Sequence, residues 1–395
     1  MSQQKFSLRS GSDRIVGLLD QPRAKRWMPV FLFLHGQTST KEETFAAALA
    51  QQFVRQGIAV CRIDLPGHGE SSGNISEYTY TGSLRAVEAT VAWLQRKGFR
   101  RIAVGGHSLG GALSYLYASQ TSGIRAIISL NGVTDPWHIH RRLYSSKALK
   151  NILRHGYADR IDHSGHPFRQ NKVFFNDLAH YRSFSSIAKN IHCPTLILQG
   201  VEDETVALKE VKKFYQKLTG VGDEIKALIP LRGVDHYFRT PVVRNAVIHL
   251  MSQWLARYLL PEETPVVDIF VYHEKKLLLV KRSRRVGAHQ GMWHVPAGFL
   301  PPNINIIDHA REELREEVGL ARRDILSMKR GTVMKRVDEN VQRVWVVHTV
   351  VVQSKTKKIR LNWEHDASRW VAPGKVSALK LIPGVRELIV ANTPQ

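Results

Sequence analysis

From residue 28 the chain alternates short β-branched runs with longer amphipathic segments, and this rhythm restricts the possible folds more than any other feature. "VFLFLHG" has the length and composition of a buried strand, and "KEETFAAALAQQFVRQG" has the period of a helix that stops at Gly57. "IAVCRIDL", "RIAVGG" and "RAIISLNG" repeat the strand, with the helical segments "LRAVEATVAWLQRKG" and "LGGALSYLYASQ" between them. Strands separated by helices predict the α/β class: a doubly wound, mostly parallel sheet with helices on both faces. The rhythm stops at Gly132 and resumes at "PTLILQG". The stretch between, about 133–190, contains "WHIHRRLYSSKALKNILRHG" and lacks strand periodicity. It predicts a helical insertion over the C-terminal edge of the sheet, where open α/β folds bind ligands.

A chain of 395 residues with 43% apolar content can bury two cores. "PEETP", residues 261–265, has two prolines, two acids and no large apolar side chain, so it reads as a linker between a domain at 1–260 and a second at 266–395. In the second, "VVDIFVYHEKKLLLVKRS" reads as a hairpin. A Gly/Pro-rich loop, a helix, two β-rich runs and a short terminal helix follow, a smaller α+β pattern.

The formal charge of +23 admits an anionic partner. Residues 265–395 carry 23 basic against 13 acidic side chains and the remainder 34 against 21, so the excess is distributed as on a solvated basic surface. No nucleic-acid-binding signature accompanies it, and nucleic acid is not the expected partner. Cys61 and Cys193 alone imply no disulfide framework and a reducing compartment. The first residues lack an apolar run, and no apolar stretch has membrane-spanning length. A cytoplasmic protein with no membrane partner is expected; the sequence assigns no oligomeric state.

"GGHSLGG" sets Ser108 in Gly106-x-Ser108-x-Gly110 between a predicted strand and a predicted helix. A nucleophile elbow needs this order, because the tight turn strains the serine and flanking glycines admit the neighbouring chain. An acid and a base should follow after later strands. "LILQGVED" supplies Asp203 and "LRGVDHYF" supplies His236; Glu202 and Asp235 beside them are competing assignments.

With "HGQTSTKEE", "RIDLPGHGESSG", "GHSLGG", "GVEDETV" and "GVDHYF" in order, the first 260 residues resemble the α/β-hydrolase superfamily, in its serine-aminopeptidase-like and cinnamoyl-esterase-like branch. The resemblance implies that Ser108 attacks a carbonyl, that His236 serves as base and then acid, and that Asp203 orients the imidazole. It also implies an oxyanion hole from the backbone N–H groups of Gln37 and Leu109.

In "DHAREELREEVGL", Glu313, Glu316 and Glu317 fall at i, i+3 and i+4, which predicts three carboxylates on one helix face. Such an oxygen-rich face suits a hard cation such as Mg²⁺, or Mn²⁺, held together with substrate phosphates. An exposed, highly charged helix is the structural alternative. "GMWHVPAGF" before the helix and "EEVGL" at its end resemble the Nudix box of diphosphate hydrolases. Its spacing runs unbroken from Gly298 through Glu313, Leu314, Glu316, Glu317, Gly319 and Leu320, with Ile304 where a Glu is expected and Glu312 where an Arg is. The resemblance continues through "LNWEHDASRWVAPGKV" and "LIPGVRELI" and implies Glu313, Glu316 and Glu317 as metal ligands. Glu364 is a candidate further ligand or base, with an exposed strand residue as the alternative. Gly298 and Arg282 are candidates for substrate contact, and Arg284 and Arg285 for phosphate contact.

The expected function is a bifunctional hydrolase, cleaving a small-molecule acyl ester, thioester or amide at one site and a nucleoside-diphosphate-type compound at the other. The alternatives are an esterase carrying a nucleotide-sensing Nudix module, and a nucleic-acid-associated basic protein.

Overall fold

A computed structural model describes the chain except for residues 23–28, 162–164, 166, 339–342 and 394–395. It divides into two compact units, Met1–Leu260 and Pro261–Gln395.

Among the described residues the first unit is built on an eight-stranded sheet of β1 (Ser2–Ser10), β2 (Asp13–Gln21), β3 (Pro29–Leu34), β4 (Ala59–Ile63), β5 (Arg101–His107), β6 (Ala126–Leu130), and, after an insertion, β9 (Thr195–Gly200) and β10 (Lys226–Leu231). Their order is β1-β2-β4-β3-β5-β6-β9-β10. β4 through β10 run parallel, whereas β1 pairs antiparallel with β2, and β2 with β4. Successive residues of β3 face opposite sides: Val30, Leu32 and Leu34 enter one core, Phe31 and Phe33 the other. Helices α2 (Tyr80–Arg96), α3 (Leu109–Gln120) and α8 (Leu208–Gln216) cover the first core, and α1 (Thr44–Arg55) and α9 (Pro241–Leu259) the second. A sheet buried on both faces explains why its strands read as continuous apolar runs.

The insertion is only partly helical. It contains α4 (Pro136–Arg142), α5 (Ser146–His155), α6 (Lys172–Leu178) and α7 (Ser185–Ala188), but also an antiparallel ribbon of β7 (Tyr157–Ile161) and β8 (Pro167–Asn171). The ribbon escapes sequence reading because its two strands are short and mostly polar, "YADRI" and "PFRQN".

Among the described residues the second unit carries seven strands: β11 (Glu263–His273), β12 (Lys276–Arg282), β13 (Trp293–His294), β14 (Ala297–Phe299), β15 (Ile325–Asp338), β16 (Arg343–Ser354) and β17 (His365–Val371). β11 starts inside the segment read as a linker. Glu263, Thr264 and Pro265 pair with Val344, Trp345 and Val346, so only Pro261 and Glu262 of that segment precede the strand. β11 and β12 form the expected hairpin, through Tyr272–Leu277 and His273–Lys276. Helix α10 (Ile306–Glu317) packs Ile306, Ala310 and Leu314 on one face of the sheet; α11 (Val385–Asn392) packs Val385, Leu388 and Ile389 on the other. Among the described residues no helix is long and apolar enough to cross a membrane.

Candidate active sites

The turn between β5 and α3 puts Ser108 at φ 51° and ψ −109°, a backbone that L side chains rarely adopt. Two glycines make the turn possible: a Cβ on Gly106 or on Gly110 would collide with the carbonyl oxygen of Leu34. Asp203 and His236 follow β9 and β10, on the same edge of the sheet. His236 Nε2 lies 3.0 Å from Ser108 Oγ, and His236 Nδ1 lies 2.7 Å from Asp203 Oδ2. Asp203 is held in turn, its Oδ1 accepting from Thr205 N and Val206 N at 2.8 Å and its Oδ2 from Gln199 Nε2 at 3.2 Å. The competing acids are occupied elsewhere. Glu202 accepts from Val234 N at 3.0 Å, and Asp235 from Tyr237 N at 2.9 Å.

Asn131, at φ 46° after β6, ties these segments together without any motif to announce it. Its Nδ2 donates to the carbonyl oxygens of Asp235 and His236, and its Oδ1 accepts from Gly200 N. The loop carrying Gln37 is fixed by two histidines. His35 Nε2 accepts from Leu65 N at 3.0 Å, so Nδ1 carries the proton it donates to Gly36 O at 2.7 Å. Burial, and then the neighbouring His68, holds His35 down at about 3, so this neutral tautomer persists at any ordinary pH. His68 accepts from Thr38 N at 3.3 Å. Gly36, Gln37 and Ser108 line one cavity of about 500 Å³, with Leu143, Arg160 and Phe168 from the insertion in its wall. Leu109 lies buried at the first turn of α3.

In the second unit the three helix glutamates do not share one environment. Glu313 and Glu317 face inward, with side chains 21% and 4% exposed, whereas Glu316 is 57% exposed beside Arg315. Glu317 Oε2 accepts from Ala297 N at 3.2 Å. Burial, then Glu313 and Glu364, push Glu317 well above the usual carboxylate range. Burial is also the main cause raising Glu313, followed among the raising influences by Glu316 and Glu364. Among the described residues no three His, Cys, Asp or Glu side chains are gathered to hold a metal ion. Glu316 turns to solvent beside Arg315. The donor chemistry nevertheless fits a hard divalent cation, since Glu313, Glu317 and Glu364 are oxygen donors whose mutual repulsion a cation would relieve.

Arg282 adjoins this cluster and feels Glu364 and Glu317, while its Nε donates to Ala288 O at 2.9 Å. Arg284 and Arg285 lie in the turn after β12, where Arg284 O accepts from Gln290 Nε2 and Arg285 N donates to Ser283 Oγ. Gly298 serves by having no side chain: a Cβ would collide with the Glu313 carboxyl. Glu364 sits in the turn just before β17 rather than on a strand, and its carbonyl accepts from Ser283 N at 2.7 Å. Two groups escaped the sequence reading. His309 Nε2 donates to Phe299 O at 2.7 Å and lies 3.3 Å from Glu313 Oε1. His294 and His365 meet at 3.3 Å, and His365 lies 3.9 Å from Glu317.

Residues 29–147 match the family described as alpha/beta hydrolase fold, and residues 262–391 match the NUDIX domain family. Human Protein ABHD12B is 27% identical over 237 residues, 57% of this chain; the chain spans 61% of that relative's length. The first unit also resembles solved structures. A putative hydrolase from Agrobacterium vitis S4 is 18% identical at a TM-score of 0.55, covering 64% of this chain and 98% of the other. Est1E from Butyrivibrio proteoclasticus, with ferulic acid bound, is 23% identical at a TM-score of 0.54, covering 64% and 99%. These structural likenesses bear on the fold. The chain joins an α/β-hydrolase-fold domain to a C-terminal NUDIX domain.

Proposed function

We propose that the chain is a bifunctional hydrolase, a serine-dependent acyl hydrolase in its first unit and a divalent-metal-dependent diphosphate hydrolase in its second. The observation that carries the first half is the continuous chain Ser108–His236–Asp203, at 3.0 and 2.7 Å, opening on one cavity. Ser108 Oγ attacks the carbonyl carbon while its proton passes to His236 Nε2. Asp203, held in orientation by its backbone donors, stabilises the imidazolium that results. The carbonyl oxygen, now negative, is met by the N–H groups of Gln37 and Leu109; one such donor is worth roughly 2.7–4 kcal/mol in the transition state. His236 then returns the proton to the leaving alcohol, thiol or amine, and water repeats the sequence on the acyl-enzyme. Two free, separated cysteines suit a reducing compartment, and the cytoplasm is the location we assign on that ground.

In the second unit Glu313, Glu317 and Glu364 would hold Mg²⁺ or Mn²⁺. Such an ion supplies charge neutralisation for a diphosphate and a lowered pKa for water. Arg282, beside these carboxylates, would meet a phosphate oxygen. A second reading, in which this unit binds a nucleoside diphosphate without cutting it, is favoured by Glu316 facing solvent and by the exposed Ile304 at a glutamate position.

The test of the first half is labelling of the folded protein with a fluorophosphonate probe. Wild type should label stoichiometrically and Ser108→Ala not at all, with short-chain p-nitrophenyl ester cleavage falling by at least ~10³-fold. Equal labelling of both proteins would refute the assignment.

A further inference from the structure

The cavity over Ser108 has in its wall a cation that no described carboxylate neutralises. Arg160 stands on β7, directly across the ribbon from Phe168. Its guanidinium carbon lies 4.7 Å from the Tyr144 ring centroid and 5.5 Å from that of Phe168, and its Nη1 is buried without a hydrogen-bond partner. The neighbouring arginines differ. Arg169 is paired with Asp159 at 2.9 Å, Arg142 with Glu210 at 2.9 Å, and Arg239, at the cavity rim, with Asp235 at 3.5 Å.

Aromatic faces on two sides restrict how the guanidinium can turn, and burial of Nη1 without a partner leaves a donor whose hydrogen bond remains to be made. The charge reaches the cavity: burial, and then Arg160, lowers His140, and at Tyr237 Arg160 joins Arg239 in opposing the rise that burial causes; both residues line the cavity. Among the described lining residues the one acid is Glu43. It is engaged by Ser39 and pushed up to about 7, so near neutral pH it is less than fully charged. Ile139, Leu143 and Phe168 add apolar surface to the same wall. A half-buried donor cation beside aromatic and apolar side chains suits an anion carried on a hydrocarbon chain.

We propose that Arg160 determines specificity for substrates bearing an anionic group, a carboxylate or a phosphate, at a distance from the scissile carbonyl. This rests on the reading of Ser108 as nucleophile, and it adds the chemical class of substrate that the cavity selects.

Matched esters provide the test. Mono-p-nitrophenyl glutarate is compared with its methyl ester, a neutral counterpart, and the p-nitrophenyl ester of 4-phosphonobutyrate with its dimethyl phosphonate; the two pairs distinguish carboxylate from phosphate as the preferred anion. Wild type should favour at least one anionic member by tenfold or more in kcat/KM. Arg160→Gln should bring that ratio to within about twofold of unity, whatever its absolute rates. Phe168→Glu, which sets a carboxylate beside Arg160 without removing it, should lower the ratio as well and serves if Arg160→Gln does not fold. A wild-type ratio near unity for both pairs, or a high ratio that survives the substitution, overturns the proposal. If no ester is cleaved and Ser108 does not label with a fluorophosphonate, the reading of the site as an acyl hydrolase has failed; cleavage without anionic preference sinks only the assignment to Arg160.

Discussion

Glu43 carries its carboxyl to Ser39 in the wall of the Ser108 cavity, and burial pushes it up to about 7 despite that hydrogen bond and the nearby Arg62. In the unfolded chain the same group titrates near 4.5. A carboxyl whose pKa rises on folding binds its proton more tightly in the native state. Its contribution to stability is therefore complete below about 4.5 and is lost as pH climbs through about 7. Glu43→Gln keeps a neutral group there at every pH. The variant should gain on the order of 1–3 kcal/mol over wild type at pH 8 and almost nothing at pH 4. Urea unfolding of the first unit at the two pH values checks this, and a difference independent of pH would exclude the titration of Glu43 as its cause. Glu43 and Arg160 were not legible in the sequence, because their meaning depends on which loop or ribbon closes over the serine. Ser108, Asp203 and His236 were easier to find. Each follows a strand whose apolar run is plain, and the parallel sheet brings the ends of those strands to one edge.

Helix α10 shows what spacing can and cannot establish about an element. The helix itself was plain from its period, and Asn305 caps it by accepting from the N–H groups of Ile307 and Asp308. Spacing of i, i+3 and i+4 put three carboxylates on one face, yet the buried direction favours Glu313 and Glu317 and leaves Glu316 at the margin. Glu312 in place of an arginine matters less than its charge suggests. It is 59% exposed beside Arg315, and it is the last of the neighbours that raise Glu313. The group that contacts Glu313 is His309, one turn earlier on the same face, and its hydrogen bond to Phe299 O fastens it to β14. His309 is thus a positioning residue for Glu313. His309→Ala should weaken Mn²⁺ binding by about tenfold, measured by electron paramagnetic resonance on the full chain, and His309→Gln should recover part of the loss. Unchanged Mn²⁺ affinity in His309→Ala would remove that role.

At the scale of the whole molecule, the central parallel strands were legible because their residues are buried on both faces. The antiparallel pair β1–β2 was not, since "SQQKFSLRS" is largely exposed and stands outside the strand–helix rhythm. The start of the second unit was blurred for a related reason: the prolines and acids of "PEETP" signal a linker, while pairing with β16 recruits its last three residues into a strand. Each unit has its own main sheet with an apolar core on either face. Two sites resting on separate cores should fail separately. Ser108→Ala should abolish ester cleavage and leave Mg²⁺-dependent diphosphate cleavage unchanged. Glu317→Gln should do the reverse, losing at least 100-fold of diphosphate cleavage, because it removes a buried oxygen donor. Glu316→Gln, on the solvent side, should lose at least tenfold less than Glu317→Gln. A panel of nucleoside-diphosphate compounds assayed with Mg²⁺ on the three variants separates the readings. Loss at Glu317 alone supports catalysis by the inward pair. Equal losses at Glu316 and Glu317 would mean that Glu316 swings inward to take a full ligand position. Binding of a nucleoside diphosphate with no cleavage by wild type would establish the second unit as a sensor.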